Sequence, residues 1–264
     1  MSPGKQKHRL DSLLVAQGLA TDLDAARRLI GAGVVLVDTW VCDKVGQLVA
    51  ADSRLAVKAA RRKFVSRGGE KLDGGLRAAG IDPDGWVCAD IGCSTGGFTD
   101  CLLQHGARKV YSVDVGYGVL DWKLRQDNRV VALERTNARH LTREQIVDPL
   151  DLAVIDASFI SLEPLFAPLL PLFRDVVRIF ALVKPQFQLP REAVGPGGIV
   201  SDPEQHRRAL AMVQRFGESL GLRCAAMAAS PIRGTKGNQE FFMLLTGLAG
   251  LVQDERKTEE EGER

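Results

Sequence analysis

The chain lacks long apolar runs, closely paired cysteines and an apolar leader. No stretch approaches the ~18 consecutive apolar residues needed to cross a bilayer. The richest, Phe159–Phe173, is interrupted by Glu163 and three prolines. The N-terminus, Met-Ser-Pro-Gly-Lys-Gln-Lys-His-Arg, has no apolar signal region. The five cysteines, Cys42, Cys88, Cys93, Cys101 and Cys224, include no Cys-x-x-Cys pair, and the four histidines do not join them in a ligand set. No metal site is therefore expected. Three of the cysteines lie in or beside one apolar strand and the helix after it, where they read as small buried hydrophobes in a reducing compartment. Together these absences point to a cytoplasmic, soluble protein with no membrane partner.

What is present is enough material for one large core or two smaller ones: 264 residues, 45% of them hydrophobic. The net charge of +2 is unevenly spread. Residues 1–70 carry twelve Lys/Arg against seven Asp/Glu, a net +5, whereas 251–264 carry three against six, a net −3. A basic N-terminal region suits a polyanion partner, although a solvated basic face would look the same.

Residues 1–8 are polar and are expected to be disordered. Leu10–Gln17 has helical spacing and stops at Gly18, a suitable C-terminal cap. Thr21 with Asp24 resembles a capping box for a second helix that ends at Gly33. Val34–Val37, Trp40-Val41 and Leu55–Lys58 read as short strands. Arg9-Leu10-Asp11, Gly18-Leu19-Ala20, Ala25-Ala26 and Leu29-Ile30-x-x-Gly33-x-Val35-x-Val37 resemble the small RNA-binding module first seen in a ribosomal protein, the S-four-like domain. Thr39 departs from the Gly usual after the turn Asp. The resemblance implies an α+β RNA-binding domain over 1–60, with Arg9, Arg27, Arg28 and Lys44 as phosphate contacts. For the two helical arginines, ordinary surface charge is the other reading. Residues 61–67 read as a basic linker, in which Arg62, Arg67 and Phe64 suit RNA. Phe64 equally suits packing at a domain interface.

The larger region is organised around Val87–Asp100. Its first residues read as a buried strand, glycines follow at 92, 96 and 97, and a helix begins at Phe98. Strand, glycine turn and helix open a doubly wound α/β domain, with ligands at the carboxyl ends of the strands. Ser94 stands where a dinucleotide fold needs its second Gly, which weighs against a pyrophosphate but not against S-adenosylmethionine (SAM). Asp114 ends the next strand, where a carboxylate accepts from ribose hydroxyls. A tight turn with no ligand is the plainer alternative. Further strands are expected at 129–133, 152–156, 176–183, 223–229 and 240–245, with a long Gly/Pro-rich loop over 186–201. The strands at 152–156 and 176–183 are placed side by side, next to the first. Asp156 and Lys184, which end them, should then emerge beside the glycine loop.

Ser66–Leu72, Ser94–Thr99, Asp114–Gly118, Glu134–Arg139, Asp156–Leu162, Leu182–Phe187 and Gly195–Val200 resemble the TlyA family, ribosomal RNA 2′-O-methyltransferases often labelled haemolysin-like. The likeness covers roughly residues 9–248. It implies a Rossmann-like, FtsJ-like SAM-dependent methyltransferase domain over 68–250 with a mostly parallel seven-stranded sheet, followed by a disordered acidic tail over 251–264. By motif, the family's Lys-Asp-Lys-Glu set falls on Lys71, Asp156, Lys184 and Glu240. SAM is assigned to Asp90, Gly92, Ser94, Gly96, Phe98 and Asp114, with Asn137 and Phe159 added by resemblance. The implied substrate is a cytidine in ribosomal RNA within ribosomal subunits, with no stable protein partner. A ribose hydroxyl becomes a good nucleophile once its proton is removed or stabilised, and a neutral amine can take it. A neighbouring cation favours that neutral form, so Lys184 is the expected acceptor and Asp156 its orienter. The rival readings are a membrane-active haemolysin and a non-catalytic RNA-binding assembly factor.

Overall fold

A computed structural model describes residues 7–31, 33–57, 63–234 and 236–249. The chain divides into two compact units, Met1–Arg62 and Lys63–Arg264.

The first unit runs β1 (Lys7–Arg9), α1 (Leu10–Ala16), α2 (Leu23–Gly31), β2 (Val35–Val37), β3 (Trp40–Cys42), β4 (Leu48–Ala50) and β5 (Leu55–Val57). β2 pairs antiparallel with both β3 and β5. Leu10, Leu14, Ala26, Ile30 and Val35 bury a small core between helices and sheet. Two expectations are corrected. Lys7 and His8, expected to be disordered, are ordered, because β1 takes β4 as an antiparallel partner. The start of α2 is capped by Asp22, whose Oδ1 accepts from the Ala25 amide at 2.7 Å, rather than by Thr21.

The second unit begins with α3 (Arg67–Ala79), β6 (Val87–Ile91), α4 (Gly97–Gln104), β7 (Lys109–Val113), α5 (Trp122–Arg125) and β8 (Val130–Leu133). It continues with β9 (Leu152–Ile155), α6 (Glu163–Leu169), β10 (Val176–Val183), α7 (Pro185–Gln188), α8 (Pro203–Ser219), β11 (Arg223–Ala229) and β12 (Phe241–Leu248). These strands form one seven-stranded sheet in the order β11-β12-β10-β9-β6-β7-β8. β6 to β10 run parallel, and β12 is antiparallel to β10 and β11. All five residues of β6 are buried, as its unbroken apolar composition requires of a central parallel strand. Alternation divides them between two cores. Val87, Ala89 and Ile91 face α6 and α8 through Leu165, Phe166 and Val213. Cys88 faces α3 and α4 through Leu72, Leu76 and Leu102. The sheet is thus covered on both faces, and its free carboxyl edge holds the loops where a site can form.

The stretch 186–201 carries α7 and two 3-10 turns. Lys63–Ser66 joins the second unit rather than standing apart as a linker. Phe64 is 2% exposed within the core cluster, and the Val65 amide donates to Asp100 Oδ2 at 2.8 Å. Its ring lies against Gly69, where a Cβ would strike it. This corrects Phe64 as an RNA-stacking residue: the ring has no free face. Arg62 and the acidic tail lie outside the described residues. Among the described residues, no helix is long and apolar enough to cross a membrane.

Candidate active site

The four residues of the charged set form two tight ion pairs. Lys71, on the first turns of α3, donates from Nζ to Glu240 Oε2 at 2.6 Å. α3 reaches the β12 end of the sheet because Gly75 has no Cβ, which would stand 2.6 Å from Phe242. Lys184 Nζ lies 2.6 Å from Asp156 Oδ1, an approach outside hydrogen-bond geometry, and donates to Ser158 Oγ at 2.7 Å. Strand order explains this meeting, since β9 and β10 are neighbours and Asp156 and Lys184 each follow the last strand residue. Glu240 precedes the Phe241 that pairs with Val183, so it flanks Lys184 across the β10–β12 ladder. The Lys71 charge is compensated by Glu240, and Lys71 therefore does not act on Lys184 as a bare cation.

A cavity of about 390 Å³ opens at the carboxyl ends of β6, β7 and β9, a size typical of small-molecule sites. Gly92, Ser94, Asp114, Asn137 and Phe159 line it, as expected, and so do Asp156 and Ser158. Gly92 has φ +82, and a Cβ there would stand 2.8 Å from the Asp156 carbonyl oxygen, so only Gly lets the first loop pass so close to β9. Asp114 is held in place by two loop amides, Ser94 N–H to Oδ2 at 2.8 Å and Gly116 N–H to Oδ1 at 2.7 Å. Asn137 Oδ1 accepts from the Arg139 amide at 3.1 Å. Phe159 takes φ +66, a strained region for an aromatic residue, and its side chain is 87% exposed at the rim, 5.2 Å from the Phe187 ring.

Three expected ligand residues lie elsewhere. Asp90 is fully buried beneath the loop, where Oδ2 accepts from the Thr99 amide at 2.8 Å and its hydroxyl at 2.7 Å. Burial pushes this carboxyl up to about 7 against the pull of the Thr99 bond, with the Asp156 and Asp114 charges adding to the rise. Its place is support of the α4 start. Gly96 caps α4, and a Cβ there would collide with Leu124 and Leu120, so its smallness serves packing against α5. Phe98 is buried in the core with its ring 6.1 Å from Phe242.

The sequence reading missed Ser158 and Glu134. Ser158 follows Asp156 by two residues, a spacing whose meaning depends on the turn that Phe159 makes. Glu134 accepts from the Gly118 amide at 2.7 Å and from Arg125 at 2.5 Å, tying the loop after β7 to α5. The missed signal was a carboxylate one residue beyond β8.

Burial pushes the thiols of Cys88, Cys93 and Cys101 up, which disfavours their thiolates. Folding does bring Asp73 to Cys101 and His105, which are four residues apart at the end of α4, with ligand-type atoms within 4.8 Å of one another. Asp73 there already pairs with His105, Lys63 and Arg77, which leaves no carboxylate charge for a cation.

Among the nominated basic residues, Arg9 and Arg27 engage Asp11. Arg28 and Lys44 lie exposed on the first unit. Arg67 is exposed at the start of α3 and donates to the Arg233 carbonyl at 2.9 Å.

Comparison with known proteins adds a direct likeness. Residues 64–246 match the model of the FtsJ-like methyltransferases. The 16S/23S rRNA (cytidine-2′-O)-methyltransferase TlyA of Mycobacterium tuberculosis is 45% identical over 241 residues, 91% of this chain and 90% of that one. Hemolysin A of Brachyspira hyodysenteriae is 38% identical over 239 residues, 89% of this chain and 98% of that one. A solved protein from Streptococcus thermophilus that carries a hemolysin name superposes with a TM-score of 0.70 at 36% identity, covering 98% of this chain and all of that one.

Proposed function

Because the chain belongs to the FtsJ-like methyltransferase family, we propose that it moves a methyl group from SAM to the ribose 2′-hydroxyl of a cytidine in ribosomal RNA. The observation that carries this reading is that Asp156 and Ser158 belong at once to the cavity wall and to the surroundings of Lys184. A group bound in the cavity is thereby brought next to a buried amine. The residues present suit this donor. Asp114 has both oxygens fixed by backbone amides and keeps lone pairs for ribose hydroxyls. Among the described residues, no Lys or Arg lines the cavity, as fits a ligand without phosphate.

When bound, SAM supplies a methyl carbon that already carries its leaving group, so the protein contributes mostly alignment. Lys184, once it has released the proton of its ion pair to solvent, takes the 2′-hydroxyl proton at Nζ as a neutral amine. Ser158 Oγ accepts one of its N–H groups, and the Asp156 carboxylate beside Nζ steadies the ammonium that forms when the proton arrives. Glu240 pairs with Lys71 beside this edge, and the neutral pair fixes the start of α3 against the start of β12 next to Lys184.

The first unit is proposed as the S-four-like recruiting domain. Arg9, Arg27, Arg28 and Lys44, with Arg67 at the start of α3, contact phosphates. The expected setting is the cytoplasm, on ribosomal subunits. Titration calorimetry with SAM and with NAD tests the cofactor: tight NAD binding with no SAM signal would overturn it.

A further inference from the structure

Asp11 is a buried carboxylate that the proposed chemistry does not use. Its side chain is 0% exposed, in the first turn of α1. Taking a charge out of water costs several kcal/mol unless it is paired and hydrogen-bonded. Asp11 is paired twice. Arg9 approaches as a fork, donating from Nε to Oδ1 at 3.0 Å and from Nη2 to Oδ2 at 2.6 Å. Arg27, from α2, brings Nε to 3.5 Å of Oδ2 and donates from Nη1 to Asp24 at 3.4 Å. The Ser12 amide donates to Oδ1 at 2.9 Å. These bonds, the Arg9 fork first, hold the Asp11 carboxyl below its ordinary range.

The two arginines differ from their carboxylate in exposure: their side chains are 50% and 47% exposed. A guanidinium has five N–H donors. Arg9 spends two on Asp11, and its side chain is half exposed. Gly46 clears the space beside it, because a Cβ there would stand 3.2 Å from Arg9 Nη1, and the same turn carries Lys44, whose carbonyl accepts from Gln47. A free arginine gives up rotamer entropy when it is fixed. Here much of that ordering precedes any ligand.

We propose that Asp11 is a positioning residue of an RNA-binding surface: it holds Arg9 and Arg27 as two pre-ordered forks for backbone phosphates. This rests on the reading that the first unit recruits RNA. The proposal reverses the sign that simple electrostatics gives. Removing a negative charge from a basic surface should tighten RNA binding, whereas loss of the organising carboxylate should weaken it.

The test is filter binding of the full-length protein to unmethylated 16S ribosomal RNA made by transcription, across about 50 to about 200 mM KCl. Asp11→Asn is expected to bind on the order of tenfold more weakly, with the salt slope reduced by about 0.7–0.9 for each phosphate that is no longer neutralised. A purely structural defect would lower the fraction of active protein and leave that slope unchanged. Arg9→Lys keeps the charge and removes the fork, so it should also weaken binding, and it decides the matter if Asp11→Asn does not fold. Asp11→Asn binding as well as or better than the parent, or Arg9→Lys binding at parental strength, would overturn the inference. The double variant Arg9→Gln/Arg27→Gln tests the underlying reading separately: parental binding by that protein would remove RNA from this surface altogether.

Discussion

Replacing Lys184 separates two ways an amine can assist the 2′-hydroxyl. The side chain is 7% exposed and is held by Asp156 Oδ1 at 2.6 Å and Ser158 Oγ at 2.7 Å. Pro185 opens α7 immediately after it, so the backbone beneath the amine is fixed. Lys184→Ala removes proton acceptor and charge together. A loss on the order of 10²–10⁴ in the chemical step is expected, as for other general bases, or about 3–5.5 kcal/mol of barrier. Lys184→Arg restores the charge but stays protonated at any ordinary pH. If Nζ accepts the proton, Arg should be nearly as inactive as Ala. If the amine only steadies an oxyanion, Arg should recover much of the rate. Single-turnover methyl transfer at saturating SAM and RNA reads the chemical step, with calorimetry and filter binding confirming that both ligands still bind. A near-parental rate for Lys184→Ala with binding intact would remove Lys184 from the mechanism, and substantial activity in Lys184→Arg would refute its role as base.

Ser158→Ala should lower the single-turnover rate on the order of tenfold, and Ser158→Thr should recover part of it by restoring a hydroxyl; an unchanged rate in the Ala variant would deny Ser158 any part in placing Lys184. Asp90 titrates near 7 in the folded protein against about 3.9 unfolded. The folded state therefore holds the proton through that window, and this group's contribution to stability falls as pH rises across it, by at most about 4 kcal/mol. In urea unfolding, the stability of Asp90→Asn relative to the parent should rise from about pH 4 to about pH 7 and then level off; a pH-independent difference would contradict the burial argument. Phe64→Ala should cost about 3–5 kcal/mol of stability and leave the salt slope of RNA binding unchanged; an altered slope at parental stability would return the ring to the RNA surface.

Much of the sheet was legible because central parallel strands are nearly continuous apolar runs. Val87–Ile91, Leu152–Ile155 and Val176–Val183 stand out by composition, and their expected limits fall within a residue of those observed. The meeting of Asp156 with Lys184 followed from strand order alone. What escaped depends on partners distant in sequence. β1 is three polar residues, and it is a strand because Leu48–Ala50 pairs with it. α6 contains Pro164 and Pro168, which read as breakers; the first is tolerated in the opening turn and the second comes one residue before the helix ends. Phe64 could be read as platform or core until Gly69 was seen to accept its ring. Asp90, Gly96 and Phe98 share the loop's sequence neighbourhood but face its underside, a distinction set by strand alternation and by the α4 start.

The most direct measurement is transfer of tritium from methyl-labelled SAM into unmethylated ribosomal subunits, followed by mapping of the labelled nucleotide. The expected result is label on the 2′-oxygen of a cytidine, dependent on Lys184. Label on a base, or none with SAM bound and the subunits intact, would contradict ribose methylation by this site.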